Sequence, residues 1–484
     1  MAKLPPLPAE PPKVESLDDA RQVIAELWAL VLELRARLGQ NSRNSSCPPS
    51  SDGPGSGGGQ ATGDGGKAAG DGKPGTARRT RGAQPGHKGQ RRALVSEVDT
   101  IVEHAPTGVC ACGGAWERAA APYRRHQVFE VPAPRIEVTE HRLYRARCRC
   151  CGTTALAGLP AQVPSGQMGP RLLAWTGVLA GRYHLSIRQI QALLAEHWGV
   201  HFSLGALSAA QGRVATMLTR TQQAMTAQVR AATRVHVDET SHQRCGDARW
   251  TWVAVGGDAA CFQFLPSRAR YCAQHLLGEQ PSGVVISDGY GVYHWLAAEQ
   301  HQLCWAHVVR LLREIAERPG DAGRLGRRLL RLAQTVFRVR HRFERGQIDE
   351  ARYQRRMQQL RRRLHAALSI GAHLPWSRYA GRCEHLLAHE ARLWTFLRAP
   401  DIPLTNNAAE RALRGAVLWR KGSFGVWSHR GEQFRSRILS VVETCRMRGL
   451  SALAVVHRIV AAVLARQPYP DVFGIGLVPS SQSG

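Results

Sequence analysis

The sequence predicts a multidomain protein whose second half contains an α/β domain. From residue 233 onward it holds four strand-like runs separated by Gly or Pro: "RVHVDET", "RWTWVAVGG", "ACFQFLPS" and "SGVVISDGY". Helical patterns follow from about 290 to 318, and an Arg-rich helical stretch covers about 320–400. At 484 residues the chain should divide into several domains. We expect an α/β domain over 233–449 that carries a helical insertion, and a C-terminal helix and tail over 450–484.

Composition indicates an anionic polymer as the partner. Lys and Arg total 65 against 37 acidic residues, which gives a net charge of +28. A solubilising surface is the alternative, but Arg-rich runs such as "RRMQQLRRRLHAAL" favour nucleic acid. The chain starts without a secretory-signal pattern, and no run approaches the roughly 18 apolar residues of a membrane span. We therefore expect a cytosolic protein, in which cysteines are thiols or metal ligands rather than disulfides.

Residues 1–40 are predicted to form a helix that begins near Ser16. Apolar residues recur at spacings of three and four in the order Leu17, Ala20, Ile24, Leu27, Val31, Leu34 and Leu38. This heptad pattern predicts a coiled coil over 16–38, although a helix that packs within its own chain would look the same. Residues 41–92, rich in Gly, Ser, Pro and Lys, are predicted to be a disordered linker whose basic end can follow a phosphate backbone.

Residues 93–160 are predicted to form a small module of short strands around two cysteine clusters. "VCACGG" supplies Cys110 and Cys112, and "RCRCCG" supplies Cys148 and Cys151. Thiolates paired in this way can share a tetrahedral structural zinc ion. The first pair has an uncommon one-residue gap. Substitute ligands are Cys150 and His104, and a group of thiols without metal is the alternative.

The segment 161–232 reads as helices in a helix-turn-helix pattern. Ser186 and Ser203 are predicted N-caps of two helices that are joined by a turn at Gly199. If this pattern binds DNA, Arg188 and Ser203 are its candidate contacts. A helical hairpin that packs on a neighbouring domain has the same sequence pattern, so that alternative stays open.

Three acidic residues are the candidate chemical centre. Asp238 is predicted at the end of one strand, Asp288 at the end of another, and Glu410 on the short amphipathic helix of "TNNAAERALR". Three such carboxylates can converge into a cage of hard oxygen ligands that suits Mg²⁺ or Mn²⁺. The alternatives are ordinary turn chemistry for each Asp and a surface pair of Glu410 with Arg414.

These motifs occur in a diagnostic order along the chain. They are "LGQNSRNSSCPPSSD", "GAQPGHKGQ", the cysteine pairs, "RYHLSIRQI", "VHVDET", "SDGYGVY", "CWAHVVR", "TNNAAERALR" and "GEQFRSRILSVVETCRMRGL". In this order the chain resembles, essentially end to end, the transposases of the insertion-sequence-sixty-six family of bacterial mobile elements. The family's zinc-binding segment corresponds to residues 105–152, where Val109 stands in place of an expected cysteine.

The resemblance implies a ribonuclease-H-like catalytic core over 233–449 with its helical insertion. It implies a DDE-type DNA transposase that binds the terminal inverted repeats of its element, cleaves 3′ ends and joins them to target DNA. Its catalytic acids would be Asp238, Asp288 and Glu410, which hold two Mg²⁺ or Mn²⁺ ions, with a structural Zn²⁺ in the cysteine module. The implied setting is the bacterial cytoplasm at the nucleoid, with a homo-oligomer on double-stranded DNA and accessory proteins of the same element as further candidates.

Candidate DNA contacts in the catalytic region follow from the same motifs. They are His307, Arg310, Asn407, Arg411, Arg414, Arg420 and Lys421. For His307 and Arg310 a packing role is the alternative. Two alternatives to a transposase remain at this stage: a zinc-containing DNA-binding regulator, and a ribonuclease-H-fold nuclease that cuts DNA without joining it.

Overall fold

The computed structural model describes residues 93–132, 135–374 and 377–476, together with Ser16, Arg21, Val23 and Ile24. Apart from those first four positions, the predicted coiled coil and the predicted linker lie outside the described residues. The described chain from residue 93 falls into two compact units, one ending at Glu137 and the other starting at Val138. No described helix is both long enough and apolar enough to cross a membrane.

The described part of the first unit is held by side-chain contacts rather than by regular structure. Arg118 pairs with Glu103 at 2.6 Å, and the Gln127 amide bonds both backbone groups of Val95 at 2.9 Å. The strands predicted around the cysteines are confirmed only in the second unit. There β1 (Arg145–Arg147) and β2 (Thr154–Leu156) form an antiparallel hairpin.

Four helices precede the main sheet. They are α1 (Pro170–Tyr183), α2 (Ile187–Trp198), α3 (Leu204–Met217) and α4 (Thr219–Ala231). The predicted caps are confirmed: Ser186 accepts the Gln189 N–H in a capping box, and Ser203 accepts the Ala206 N–H. The predicted turn is confirmed as well, because Gly199 ends α2 with a φ of 64°.

The main sheet contains all four predicted strands and a fifth. Its elements are β3 (Arg234–Arg244), β4 (Asp247–Gly256), β5 (Ala259–Leu265), helix α5 (Arg270–Leu277), β6 (Val284–Ser287) and β7 (His301–Leu303). The strand order is β5-β4-β3-β6-β7. β3, β4 and β5 pair antiparallel, whereas β6 and β7 add in parallel. The prediction of helix from about 290 to 318 is wrong before Trp305, where the chain forms two short 3-10 turns, Gly291–Tyr293 and Ala298–Gln300, and then β7. Three residues of strand are too few to show an alternating pattern.

The remaining elements are helical. They are α6 (Trp305–Ala316), α7 (Gly320–Glu344), α8 (Glu350–Ala372), α9 (Ser377–Ala388), α10 (Glu390–Leu393), α11 (Asn407–Ser423), α12 (His429–Met447) and α13 (Ala452–Leu464). The helical stretch predicted over 320–400 is therefore confirmed.

Two separate hydrophobic cores organise the second unit. One is shared by α1–α4, the sheet and α11–α13, with Leu173, Trp252 and Ile438 among its buried members. The other joins α6–α10 around Met357, beginning at Leu303 at the end of β7. Helices α6–α10 are the helical insertion, and they bury their own apolar surface. The helices of 161–232 instead share a core with the sheet.

Close packing of α6 against α7 depends on Gly326. A Cβ at this position would lie 2.3 Å from Ala316 N and 2.5 Å from Ile315 C, and both of these are backbone atoms. Gly326 is buried in the middle of α7. The two helices can therefore touch only because this residue has no side chain.

We expect Gly326→Ala to lower the free energy of unfolding by about 1–3 kcal/mol, because a methyl group would force α6 and α7 apart. Gly381→Ala is the matched control in the same insertion, since a Cβ there meets nothing within 4 Å. That change should be neutral or stabilise α9 by up to about 1 kcal/mol. Thermal and urea unfolding midpoints measure both, and equal effects at the two glycines would contradict the packing argument.

Candidate active site

The register of two parallel strands brings the first two predicted acids together. β3 pairs with β6 up to the rung His236–Ile286. Asp238 lies two residues beyond His236, and Asp288 two residues beyond Ile286. Because side chains alternate along a strand and neighbouring strands lie about 4.8 Å apart, the two carboxylates occupy adjacent positions on one face.

The prediction that Asp238 ends its strand is wrong. β3 continues to Arg244, because β4 pairs with it from His236 to Arg244. What ends near Asp238 is only the pairing with the shorter strand β6. Asp288 directly follows β6, as predicted.

Asn406 places the third acid beside β3. This fully buried side chain donates from Nδ2 to Val237 O at 2.7 Å, and its Oδ1 lies 3.2 Å from His236 Nδ1. Its backbone N–H donates to Cys304 Sγ at 3.1 Å. Asn406 precedes α11 but makes no side-chain cap bond to it. It joins the start of α11 to β3, so that Glu410 in the first helical turn faces the strand that carries Asp238.

Electrostatic coupling shows that the three acids share one environment. Burial raises the pKa of Asp238 well above its ordinary value, and repulsion from Glu239, Asp288 and Glu410 adds to the effect. A hydrogen bond from the Glu239 N–H opposes this shift only in part. The three predicted acids therefore converge.

Glu239 is a fourth acid that the sequence reasoning missed, and it is neutralised by the protein. Arg268 Nε contacts its Oε1 at 2.5 Å, and the Tyr293 hydroxyl donates to its other oxygen. Arg268 also reaches Asp288 at 3.6 Å and stacks on the Tyr290 ring at 3.7 Å. Glu239 follows Asp238 directly in "VHVDET", which places it on the opposite face of β3.

Glu410 keeps an unsatisfied oxygen. Its Oε1 is buried without a hydrogen-bond partner, and so is His307 Nδ1, which lies 3.6 Å away. Together with Cys304 Sγ these donor atoms lie within 4.8 Å of one another. Glu410 pairs with His307 rather than with Arg414, so the surface-pair alternative does not describe this residue. A buried carboxylate oxygen without a partner, beside two further carboxylates, fits a ligand of a divalent cation.

His307 was expected to contact DNA or to pack. It lies on α6 and faces Glu410. Burial lowers the pKa of His307, while Asp288 and Glu410 act in the opposite direction. Arg310, one turn further along α6, is half-buried.

The remaining predicted DNA contacts divide into exposed and engaged side chains. The exposed ones are Arg188, Ser203, Asn407, Arg411, Arg414 and Lys421. Arg420 is engaged, because its Nη1 donates to Thr240 Oγ1 at 3.0 Å and to Ser241 Oγ at 2.7 Å on β3. The Ser203 hydroxyl accepts the cap bond of α3.

Both cysteine pairs lie in turns of the same design. In the first unit, Cys110 N–H donates to Gly114 O at 2.9 Å, and Gly113 N–H donates to Cys110 O at 2.8 Å. In the second unit, Cys148 N–H donates to Thr153 O at 2.8 Å, and Gly152 N–H donates to Cys148 O at 3.0 Å. The glycine after each second cysteine has a positive φ, 86° at Gly113 and 75° at Gly152.

The thiols in these turns are tuned towards their anionic form. Hydrogen bonds from Thr153, through its side chain and its backbone, and from Cys148 lower the pKa of Cys151 to about 7. Bonds with Gly114 and Cys110 lower the pKa of Cys112. The thiolate is the zinc-binding form of cysteine, so the thiols of each turn, taken by itself, are suited to bind zinc. Cys150, the substitute ligand, is exposed in the second turn.

Comparison with known families now identifies the chain. The sequence model of the Transposase IS66 family matches residues 165–434, a range that includes all three acids. The chain belongs to the IS66 family of transposases. The zinc-finger binding domain of transposase IS66 matches residues 107–152, which contain both cysteine pairs. A family of unknown function matches residues 9–93.

Relatives of this IS66 transposase occur in Sinorhizobium fredii (strain NBRC 101917 / NGR234). One, named "Uncharacterized protein y4hP", is 26% identical over 409 residues, which cover 76% of this chain and 72% of the relative. Another, "Uncharacterized protein y4qI", is 24% identical over 407 residues, or 75% and 72% of the two chains.

We expect Asn406→Ala to lower the free energy of unfolding by about 1–3 kcal/mol, because it leaves buried polar groups of β3 without partners. Asn407→Ala is the control, since the neighbouring side chain is exposed. Chemical unfolding midpoints compare the two variants. An Asn406 variant as stable as the Asn407 variant would show that the buried bonds do not hold α11 in place.

Asp238→Asn should raise the thermal midpoint of the metal-free protein at neutral pH. The raised pKa means that the folded state disfavours the ionised carboxylate, so stability falls as pH rises from the ordinary Asp pKa of 3.8 through the folded value. Asparagine removes this charge. Mg²⁺ should therefore stabilise the native sequence and have little effect on the variant.

The control for this change is Asp247→Asn, at an exposed position at the start of β4. Its midpoint and its response to Mg²⁺ should match those of the native sequence. A lower midpoint for Asp238→Asn, with the Mg²⁺ response preserved, would remove Asp238 from the cation site.

Proposed function

We propose that this IS66 transposase is a DDE-type enzyme in which Asp238, Asp288 and Glu410 hold two divalent cations for DNA cleavage and strand transfer. The observation that carries the proposal is the convergence of these acids from two parallel strands and the first turn of α11. The uncompensated repulsion among them and the orphaned Glu410 oxygen add support. Asp238 accepts only a backbone N–H, whereas Glu239 beside it is neutralised by Arg268.

The sheet supports a ribonuclease-H-like core. Its order, β5-β4-β3-β6-β7, combines an antiparallel meander with two parallel strands added beside the first strand of the meander. In this arrangement Asp238 lies on the central strand and Asp288 directly follows its parallel neighbour. The helical insertion separates Asp288 from Glu410, which agrees with the architecture implied by the family.

Hard carboxylate oxygens suit Mg²⁺ or Mn²⁺, which would activate the attacking oxygen and stabilise the leaving oxygen when bound. In cleavage, a water oxygen bonds to phosphorus while the bond from phosphorus to the 3′ oxygen breaks. The water loses a proton, the 3′ oxygen gains one, and the element keeps a free 3′ hydroxyl. In joining, that hydroxyl attacks a target phosphorus and releases the target's own 3′ hydroxyl, so the number of phosphodiester bonds is conserved.

DNA would approach along α11. Arg411, Arg414 and Lys421 are exposed on the helix that carries Glu410, and Glu410 does not neutralise them. They can therefore pair with phosphates beside the acids. Arg188 and the Ser203 hydroxyl, which can still donate a hydrogen bond, would contact the terminal inverted repeats from α2 and α3. The proposal includes a homo-oligomer that holds two element ends.

We expect Asp238→Asn, Asp288→Asn and Glu410→Gln each to abolish cleavage of labelled element ends in Mg²⁺ or Mn²⁺. End binding in a gel-shift assay should be largely unchanged, because each change only removes a negative charge. Matched controls are Asp247→Asn, on an exposed strand end, and Glu350→Gln, in the exposed first turn of α8. Both should retain activity.

The same assay, run with pre-cut ends, separates transposition from simpler activities. Joining of these ends to target DNA by the native sequence supports the transposase. Cutting without joining would identify a nuclease, and metal-independent binding without cutting would identify a regulator. Substantial cleavage by one acid variant would exclude that residue from the site.

A further inference from the structure

Three histidines meet beside the candidate active site without a role in it. His294 lies just after the short turn that follows Asp288, whereas His385 and His389 lie on and directly after α9 in the helical insertion. The His389 N–H donates to His385 O at 3.2 Å, so these two residues are one helical turn apart and project to the same side.

The three imidazoles are close enough to share one ion. One ring nitrogen of each residue lies within 4.8 Å of the others. The ring centroids of His294 and His389 are 4.0 Å apart, and those of His385 and His389 are 4.7 Å apart. Ring stacking alone would give similar centroid distances. The observation that points to a ligand is His294 Nε2, which is buried and has no hydrogen-bond partner.

The donor set selects the class of ion. Three imidazole nitrogens without a carboxylate are poor ligands for Mg²⁺, but they suit Zn²⁺ and its neighbours among the divalent transition metals. Three protein ligands leave a fourth tetrahedral position for water.

The location suggests what a bound ion would do. The turn that carries His294 begins at Asp288, whose carboxylate accepts the Tyr290 N–H at 3.0 Å. His385 approaches the same turn, since its Nε2 would lie 3.9 Å from a Cβ on Gly289. Arg392 of α10 adds a second connection by donating to His294 O at 3.2 Å. An ion held by the three rings would therefore fasten the loop after Asp288 to the insertion.

We infer that His294, His385 and His389 form a transition-metal site of the zinc class, separate from both the cysteine module and the carboxylate site. The inference does not depend on the proposed function, because it concerns an ion that the acids do not bind. It predicts that this chain still binds a zinc-class ion after the cysteine ligands have been removed.

The test uses the full chain, purified without a polyhistidine tag, with excess Mg²⁺ present to occupy the carboxylates. Cys148→Ser with Cys151→Ser first disables the cysteine module. After dialysis against Co²⁺ or Zn²⁺, metal analysis should still find one tightly bound transition-metal ion per chain. The Co²⁺ form should show d–d absorption without the intense thiolate charge-transfer band. No bound ion in this protein, with its three histidines intact, would overturn the inference.

The ligands are then assigned by substitution on the same background. His385→Gln and His389→Gln should each lose the ion and its stabilisation against thermal unfolding. His373→Gln, which changes an exposed histidine of the same insertion, should keep both. Retention of the ion by both ligand variants would overturn the assignment. Far-UV circular dichroism shows whether each variant folds. If a ligand variant does not fold, the metal content of the cysteine-disabled protein with intact histidines decides the inference.

Discussion

Asn406 is the contact on which the arrangement of the candidate site depends. Glu410 is separated from both aspartates by the whole helical insertion. Arg420 bonds β3 from the far end of α11, but the start of the helix, where Glu410 lies, needs a constraint of its own. The Asn406 amide supplies that constraint by bonding Val237 O, next to Asp238, while its backbone N–H bonds Cys304 Sγ. Asn406 therefore bonds β3 through its side chain and the segment at Cys304 through its backbone, which restricts movement at the start of α11. The first-turn carboxylate is then held towards the aspartates.

The held carboxylates repel one another, and the protein leaves part of this repulsion uncompensated. Glu239 has the same charge and is more deeply buried than Asp238 or Glu410, yet Arg268 and Tyr293 satisfy it. The fold can therefore neutralise a buried acid next to Asp238 by placing an arginine and a tyrosine beside it. Asp238 receives only a backbone N–H, and Glu410 keeps an oxygen without a partner. Unpaired charge of this kind lowers the stability of the metal-free protein. Such unpaired carboxylates are typical of functional sites, including those that bind a cation.

Sequence reasoning found what is encoded locally. Alternating apolar residues identified β3 to β6, and serines before apolar helices identified the caps at Ser186 and Ser203. The three acids were found because each lies within a recognisable motif. Contacts between distant segments were not accessible: the Asn406 bridge joins positions far apart in the chain, and β7 is too short to have a period. The histidine cluster was missed for the same reason, since only folding brings His294 to α9.

The insertion shows how a large helical unit can be placed between two motifs that carry candidate acids without separating those acids in space. It buries its own core around Met357. Its two ends are joined at the sheet, where Trp305 N–H donates to Leu404 O at 2.9 Å and Cys304 N–H donates to Ser287 O at 2.9 Å. The entropy cost of closing a loop grows only slowly with the length of the loop. Because the two ends of the insertion are bonded to each other, the position of Glu410 depends little on the length of the insertion between them. These bonds hold the first and last helices of the insertion against the edge of the sheet where the acids meet. His307 and Arg392 belong to these helices and therefore reach the segments around Glu410 and Asp288.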